Sequence, residues 1–264
     1  MCTVILLHRP GHDWPILIAA NRDEMAGRPW QSPARHWEDR PDVTAGLDVL
    51  AGGSWLGLND HGVAAAILNR VGTLGPAPGK RSRGELVLDA LDHADAALAA
   101  EALADLDPAA YRPFNMLLAD SDGGYWLRSE GGVGGHIELH PLPPGLHMLT
   151  ARDIDDRASP RIDRYLPLFE KAAVPDPVTG DWTEWRNLMA ATEHDPAAGP
   201  RGAMTIRSED GGGNGFGTVS SSLIALPRPT GPGEALLKPV WLFAPGAPDA
   251  TEYEPVSLDQ KRQG

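Results

Sequence analysis

Two apolar runs near the start of the chain, Val4–Leu7 and Ile16–Ala20, flank the turn-forming Pro10-Gly11-His12-Asp13 and read as a hairpin. Both runs are apolar at successive positions rather than at every second one. Strands of that kind need cover on both faces. More strand patterns follow at Val43–Leu47, Ser54–Leu58 and Val63–Leu68, punctuated by Gly52-Gly53 and Asn59-Asp60-His61-Gly62. Others lie at Phe114–Ala119, Tyr125–Ser129, His136–His140, Leu146–Thr150, Thr218–Leu226 and Pro239–Phe243. Met25–Asp42, rich in Pro, Trp and Arg, reads as an irregular loop, and Asp210–Gly217 as a glycine-rich one. With 30 Gly and 25 Pro, the chain can supply many turns between short strands.

Helical signals come in pairs. Ser82-Arg83-Gly84-Glu85 matches a capping box, with Ser82 expected to accept from the backbone near Glu85, and Leu86, Val87, Ala90 and Leu91 follow at helical spacing. Ala96–Leu106 continues as an Ala-rich helix. Ser159-Pro160 opens a third helix toward Phe169, which Pro167 is expected to kink or shorten, and Trp182–Thr192 is a fourth. Strands grouped in hairpins and helices grouped in pairs predict antiparallel sheets covered by helices, not alternating βαβ units. No internal repeat and no low-complexity linker divides residues 1–264, so a single domain is expected.

A hydrophobic content of 42% is enough for a substantial core. The formal net charge of −13 argues against nucleic-acid binding, which needs clustered cations. One cysteine precludes an internal disulfide framework, and no apolar stretch is long enough to cross a bilayer. The expectation is a cytoplasmic protein whose partner is a small-molecule ligand or substrate.

That cysteine stands at position 2. Methionine aminopeptidases generally remove Met1 before a small residue, leaving Cys2 with a free α-amine. Nucleophile and base then sit on one residue: the thiol attacks and the amine takes its proton. The alternative is a small buried hydrophobe. Asn21-Arg22-Asp23-Glu24 directly follows the apolar run of the second strand, so hairpin pairing brings it back toward Cys2. There Arg22 could lower a thiol pKa and Asp23 could hold the amine. The alternative is a solvated strand end with an ordinary ion pair.

Trp14, Trp30, Trp37 and Trp55 fall around this expected mouth, either to stack on a flat ring or to pack beneath the Met25–Asp42 loop. His136, His140 and His147 could form a metal or haem-iron site, or be ordinary surface histidines. Gly211–Gly215 lacks the lysine and following helix of a phosphate-binding loop, and no Gly-x-Ser-x-Gly, Cys-x-x-Cys or His-Glu-x-x-His appears.

Met1-Cys2-Thr3, Ala20–Glu24 with Arg28-Pro29, and Ala51-Gly52-Gly53-Ser54-Trp55-Leu56-Gly57 together resemble the NRDE, or transport and Golgi organisation, family. Asn59 with Gly62, Asn69, Ser82-Arg83-Gly84 and Phe114-Asn115 fit the same pattern. The resemblance implies an α+β fold: a four-layer αββα sandwich of the N-terminal-nucleophile-hydrolase type, related to cysteine acylases of linear amides. By that similarity Cys2 is the nucleophile, Asp23 orients the amine and Asn69 donates to the oxyanion. Asn21, Glu24 and Trp55 are candidate ligand contacts from their place in the polar cluster and at the expected mouth, not from the family. The chain departs from the acylases at Ala20, at Ala151 and at Val219, where they carry an arginine, an asparagine and a second arginine. The family resemblance also implies a second function, binding or trafficking of haem or an acyl-coenzyme A. Hydrolysis requires no cofactor; haem would enter as a bound ligand.

Overall fold

The computed structural model describes residues 2–207, 215–231 and 236–259. The opening hairpin forms as β1 (Thr3–His8) and β2 (Ile16–Met25). Their sheet is completed by β10 (Gly145–Leu149), β11 (Phe216–Leu226), β12 (Val240–Ala244) and β13 (Glu254–Pro255), in the order β10-β1-β2-β11-β12-β13. The second sheet consists of β3 (Trp30–Ala34), β4 (Val43–Asp48), β5 (Leu56–Asn59), β6 (Ala64–Asn69), β7 (Phe114–Asp120), β8 (Gly123–Ser129) and β9 (Ile137–Leu142), in chain order. Every strand pairing is antiparallel.

Helices α1 (Gly84–Leu91) and α2 (Ala96–Ala104) cover the outer face of the second sheet, with Leu86, Val87, Ala99 and Leu103 packed on Val43, Ala65, Met116 and Leu118. Helices α3 (Pro160–Lys171) and α4 (Thr183–Met189) cover the outer face of the first, where Ile162, Phe169 and Trp185 meet Ile5, Leu17 and Ala19. Between the sheets Val4, Leu6, Ile16 and Ile18 face Leu56, Leu58, Ala66 and Leu117. The continuous apolar runs of β1 and β2 are thereby explained: alternate residues enter two different cores. The molecule is an αββα sandwich.

Several local expectations are corrected. The Met25–Asp42 segment contains β3, whose edge pairing with β4 is irregular between Gln31 and Ala34. Ser82 does not cap α1 as a capping box would: Arg83 is the N-cap residue, and the Ser82 hydroxyl accepts from Gly84 N. Pro167 lies inside α3, which runs on to Lys171, because the loss of one backbone donor is offset by a buried face of Ile162, Tyr165, Leu166 and Phe169. Residues 210–214 of the expected glycine-rich loop lie outside the described residues, and its last two, Phe216 and Gly217, open β11.

The three histidines do not assemble. His140 stacks on Trp126 at 4.8 Å, His147 belongs to the other sheet and pairs with Asp155 at 2.7 Å, and His136 is exposed. Among the described residues no three potential metal ligands gather, and no helix is long and apolar enough to cross a membrane.

Candidate active site in the cleft beside Cys2

Thr3 pairs with Asn21 across the hairpin, which sets Cys2 beside Arg22 and Asp23. The Cys2 thiol donates to the backbone carbonyl of Asp23 at 3.7 Å. Asn21–Glu24 is not a solvated strand end; it lies inside β2, held on its other side by β11. Strand alternation then divides it between two environments.

Arg22 and Glu24 share the Cys2 face and line a cleft of about 380 Å³ between the sheets, together with Trp55 and Asn69. The Arg22 guanidinium lies 4.1 Å from the Trp55 ring centroid, and its Nη2 is 3.8 Å from Asp48. Trp30 meets Trp55 edge to face at 5.8 Å. Asp48 organises this wall: it takes Arg28 Nε at 2.7 Å and accepts from the backbone N–H groups of Leu50 and Ala51. Asn69 ends β6 at the cleft, and its amide has no hydrogen-bond partner among the described residues. A narrow spur of about 20 Å³ continues inward past Cys2 to Ser220 and Ser222, room for a single water.

Asn21 and Asp23 face the helices instead. The Asn21 amide donates to the carbonyls of Met189 and Met204, at 3.0 and 2.9 Å. Asp23 is buried; it accepts from Arg161 Nη1 at 2.9 Å and from the Thr218 hydroxyl at 2.6 Å, while the same Arg161 nitrogen donates to Thr3. A bulge at Val219 lets Thr218 oppose Asp23 and Ser220 oppose Arg22. The backbone that carries the thiol is therefore clamped from behind by a buried polar network. Burial, helped by the Asp23 carboxylate, holds the Cys2 thiol above its ordinary value; the hydrogen bond to the Asp23 carbonyl and the Arg22 guanidinium act in the opposite direction without overcoming it.

Of the sequence candidates, Cys2, Arg22, Glu24, Trp55 and Asn69 share the cleft, whereas the Asn21 and Asp23 side chains sit on the reverse side of the same strand. Trp14 packs under the helices and Trp37 donates to Gly52 outside the cleft, which leaves Trp30 and Trp55 near it. Ala20, where acylases carry an arginine, shares a strand face with Arg22, so a guanidinium is still presented from two positions further along. Arg161 and Asp48 escape sequence reasoning. Arg161 lies 138 residues beyond its partner, and its only local signal is a place in the first turn of α3.

A two-sheet sandwich with helices on both outer faces, and a second-residue cysteine at the cleft between the sheets, defines the N-terminal-nucleophile-hydrolase class of fold. Solved structures agree. An N-acylethanolamine-hydrolyzing acid amidase ortholog from Caenorhabditis elegans superposes with a TM-score of 0.56 at 13% identity, over 84% of this chain and 92% of that one. A conjugated bile acid hydrolase from Clostridium perfringens superposes with a TM-score of 0.52 at 11% identity, over 98% of each chain. The chain belongs to the Transport and Golgi organisation 2 family, whose model matches residues 1–227. It is 34% identical over 147 residues to the Transport and Golgi organization protein 2 homolog of Bos taurus, covering 51% of this chain and 50% of that protein. It is 33% identical over 108 residues to the Mus musculus homolog, covering 40% of this chain and 38% of that protein. The matched stretches thus span half or less of these relatives' length.

Proposed function

We propose that the protein is an N-terminal-cysteine amide hydrolase acting on a small molecule. The observation that carries this reading is the convergence of Cys2, Arg22 and Asn69 on one cleft, with the Cys2 backbone clamped beside Asp23. Once Met1 is removed, the Cys2 α-amine takes the thiol proton and the thiolate attacks the substrate carbonyl. The Asn69 amide, which has no partner among the described residues, donates to the oxyanion as the tetrahedral intermediate forms. The amine returns its proton to the departing nitrogen, and water activated by the same amine releases the acyl group from sulfur. Arg22 lowers the cost of the thiolate against the burial that opposes it. The Asp23–Arg161–Thr3 network fixes the strands on which the nucleophile rides. The need for a free thiol suits a reducing compartment such as the cytoplasm.

Intact mass of the protein, before and after a thiol-directed acylating reagent, tests the reading. Expected are loss of Met1, one acyl adduct on Cys2, and none in Cys2→Ala. A native protein that retains Met1 has no base for this mechanism and ends it.

A second reading, a carrier of an acyl-coenzyme A or of haem, draws support from the Trp30–Trp55 pair and from the cationic side chains of the cleft. No histidine lines the cleft, so haem iron there would depend on the Cys2 sulfur. A carrier binds saturably and tolerates Cys2→Ala for an acyl cargo. Absence of a Soret shift on haem titration at micromolar protein would remove haem from consideration.

A further inference from the structure

The chain carries a net charge of −13, yet the cleft beside Cys2 is lined by six cationic side chains and only two carboxylates. Three of the six have a carboxylate within ion-pair reach. Arg28 pairs with Asp48 and Glu24, Arg81 pairs with Glu85, and Arg22 Nη2 lies 3.8 Å from Asp48. Lys80, Arg83 and Arg112 have no carboxylate partner among the described residues. Their donors go to backbone carbonyls and one hydroxyl. Arg83 bonds Thr73 and Pro113 O, Arg112 bonds the carbonyls of Gly72, Leu74, Gly75 and Pro76, and Lys80 bonds Ala109 O. Such bonds fix where the cations point while leaving their charge unbalanced.

Burial, with Arg112 close by, pushes Arg83 down to about 10, the mark of a cation held without its counter-charge. A second, independent feature points the same way. Arg22 is 95% buried from solvent (5% exposed), lines the same cleft, and leaves its Nη1 without a hydrogen-bond partner among the described residues. Orphaned buried donors are uncommon, and this one belongs to a residue of the cleft wall, where its charge adds to that of the rim.

We infer that this cleft takes an acyl amide carrying a carboxylate or phosphate, with Lys80, Arg83 and Arg112 holding the anion at the rim and the positive charge of Arg22 reinforcing them beside Cys2. The inference rests on the amide-hydrolase reading for the reaction, but the anion site itself is tested by binding alone. Guanidinium and ammonium groups recognise both kinds of anion, so the source is left to the probes.

The experiment uses four amides with the full-length Cys2→Ala protein: N-hexanoylethylamine, N-hexanoylglycine, N-hexanoyl-2-aminoethylphosphate and N-ethylsuccinamate. The first is neutral, and the others place a carboxylate or phosphate on the amine or the acyl side. At about 0.1 M salt at least one anionic amide should bind ten or more times more tightly than the neutral one, and the one preferred identifies the anion and its side. The preference should fall severalfold near 1 M salt, as the screening length contracts from about 10 to about 3 Å. It should also fall severalfold in Arg83→Gln. Because Arg83 braces the 70–76 segment, Lys80→Gln, which gives up one carbonyl contact, serves as the second variant. Equal affinity for neutral and anionic amides, or a preference untouched by both variants and by salt, overturns the inference. Turnover in the Cys2-intact protein separates the two claims. Anion preference in binding without turnover of any amide retires the hydrolase reading alone, and turnover together with equal affinity for neutral and anionic amides retires the anion site alone.

Discussion

Asp23 and Arg161 are both removed from solvent, so neither charge has water to stabilise it if the other is lost. Breaking such a pair from one side typically costs about 3–5 kcal/mol, much more than an exposed pair would. Arg161→Met should therefore destabilise the protein by about that amount in denaturant unfolding. Converting Asp23 to Asn in the same chain should recover a large part of it, because no uncompensated charge then remains. Additive losses in the double variant would mean that the two side chains act separately. Sequence reading reached Asp23 because it stands in a polar run that ends an apolar strand. It did not reach Arg161, since nothing local distinguishes an arginine in the first turn of α3 that closes on β2 from one that meets solvent. Asp48 was missed for the same reason: its role depends on Arg22 of β2 and Arg28 of the turn after it folding onto it from elsewhere in the fold.

Close approaches between elements shape the cleft and account for several glycines. A Cβ on Gly53 would fall 2.4 Å from the backbone carbon of Gly84, so the turn after β4 and the start of α1 touch only because both residues are glycine. On β4, a Cβ at Gly46 would fall 2.3 Å from the Trp55 ring. Gly46→Ala should cost about 1–3 kcal/mol through overpacking. It should also push Trp55 off Arg22, with turnover of the amide substrate reduced about 10²-fold, as a misplacement near 1 Å can do. A variant that melts lower yet turns over normally would show that the Arg22–Trp55 stack does not shape the reaction.

Another element-scale effect concerns β1 and β10, where His8 is buried near His147 and Asp120. Burial, then repulsion from His147, pushes His8 down; Asp120 and the backbone of Leu142 and Pro143 act in the opposite direction without overcoming this. The unfolded chain, with an ordinary His near 6.5, takes up the proton first, so wild-type stability drains away as pH falls below that value. His8→Leu should lose less. Its stability relative to wild type should rise by up to about 1.4 kcal/mol per pH unit below 6.5, in urea titrations at pH 7.5, 6 and 5. A pH-independent difference would contradict the assignment.

At the scale of the whole molecule, the layering was legible because burial on both faces leaves an unmistakable pattern in β1 and β2, and because Ala-rich helices follow one another without a crossover strand. The edge strands β3 and β13 were not legible. An edge strand pairs on one side only and needs neither alternation nor an apolar run, and β3 contains Pro33. The cleft was half legible: its nucleophile wall is local in sequence, while its cationic rim comes from 80–84 and Arg112 of the other sheet's connections and acquires meaning only when the layers close. A ligand seated in such a cleft must restrain both layers at once. Hydrogen exchange with a saturating anionic amide on the Cys2→Ala protein should slow amides of Arg22–Glu24 in β2 together with those of 48–55 and 72–84 on the facing sheet. Exchange in α3 and α4, which lie behind β2, should change little. Protection confined to the 72–84 segment would place the anion on the outer rim alone, away from the sulfur, and would separate ligand capture from the chemistry assigned to Cys2.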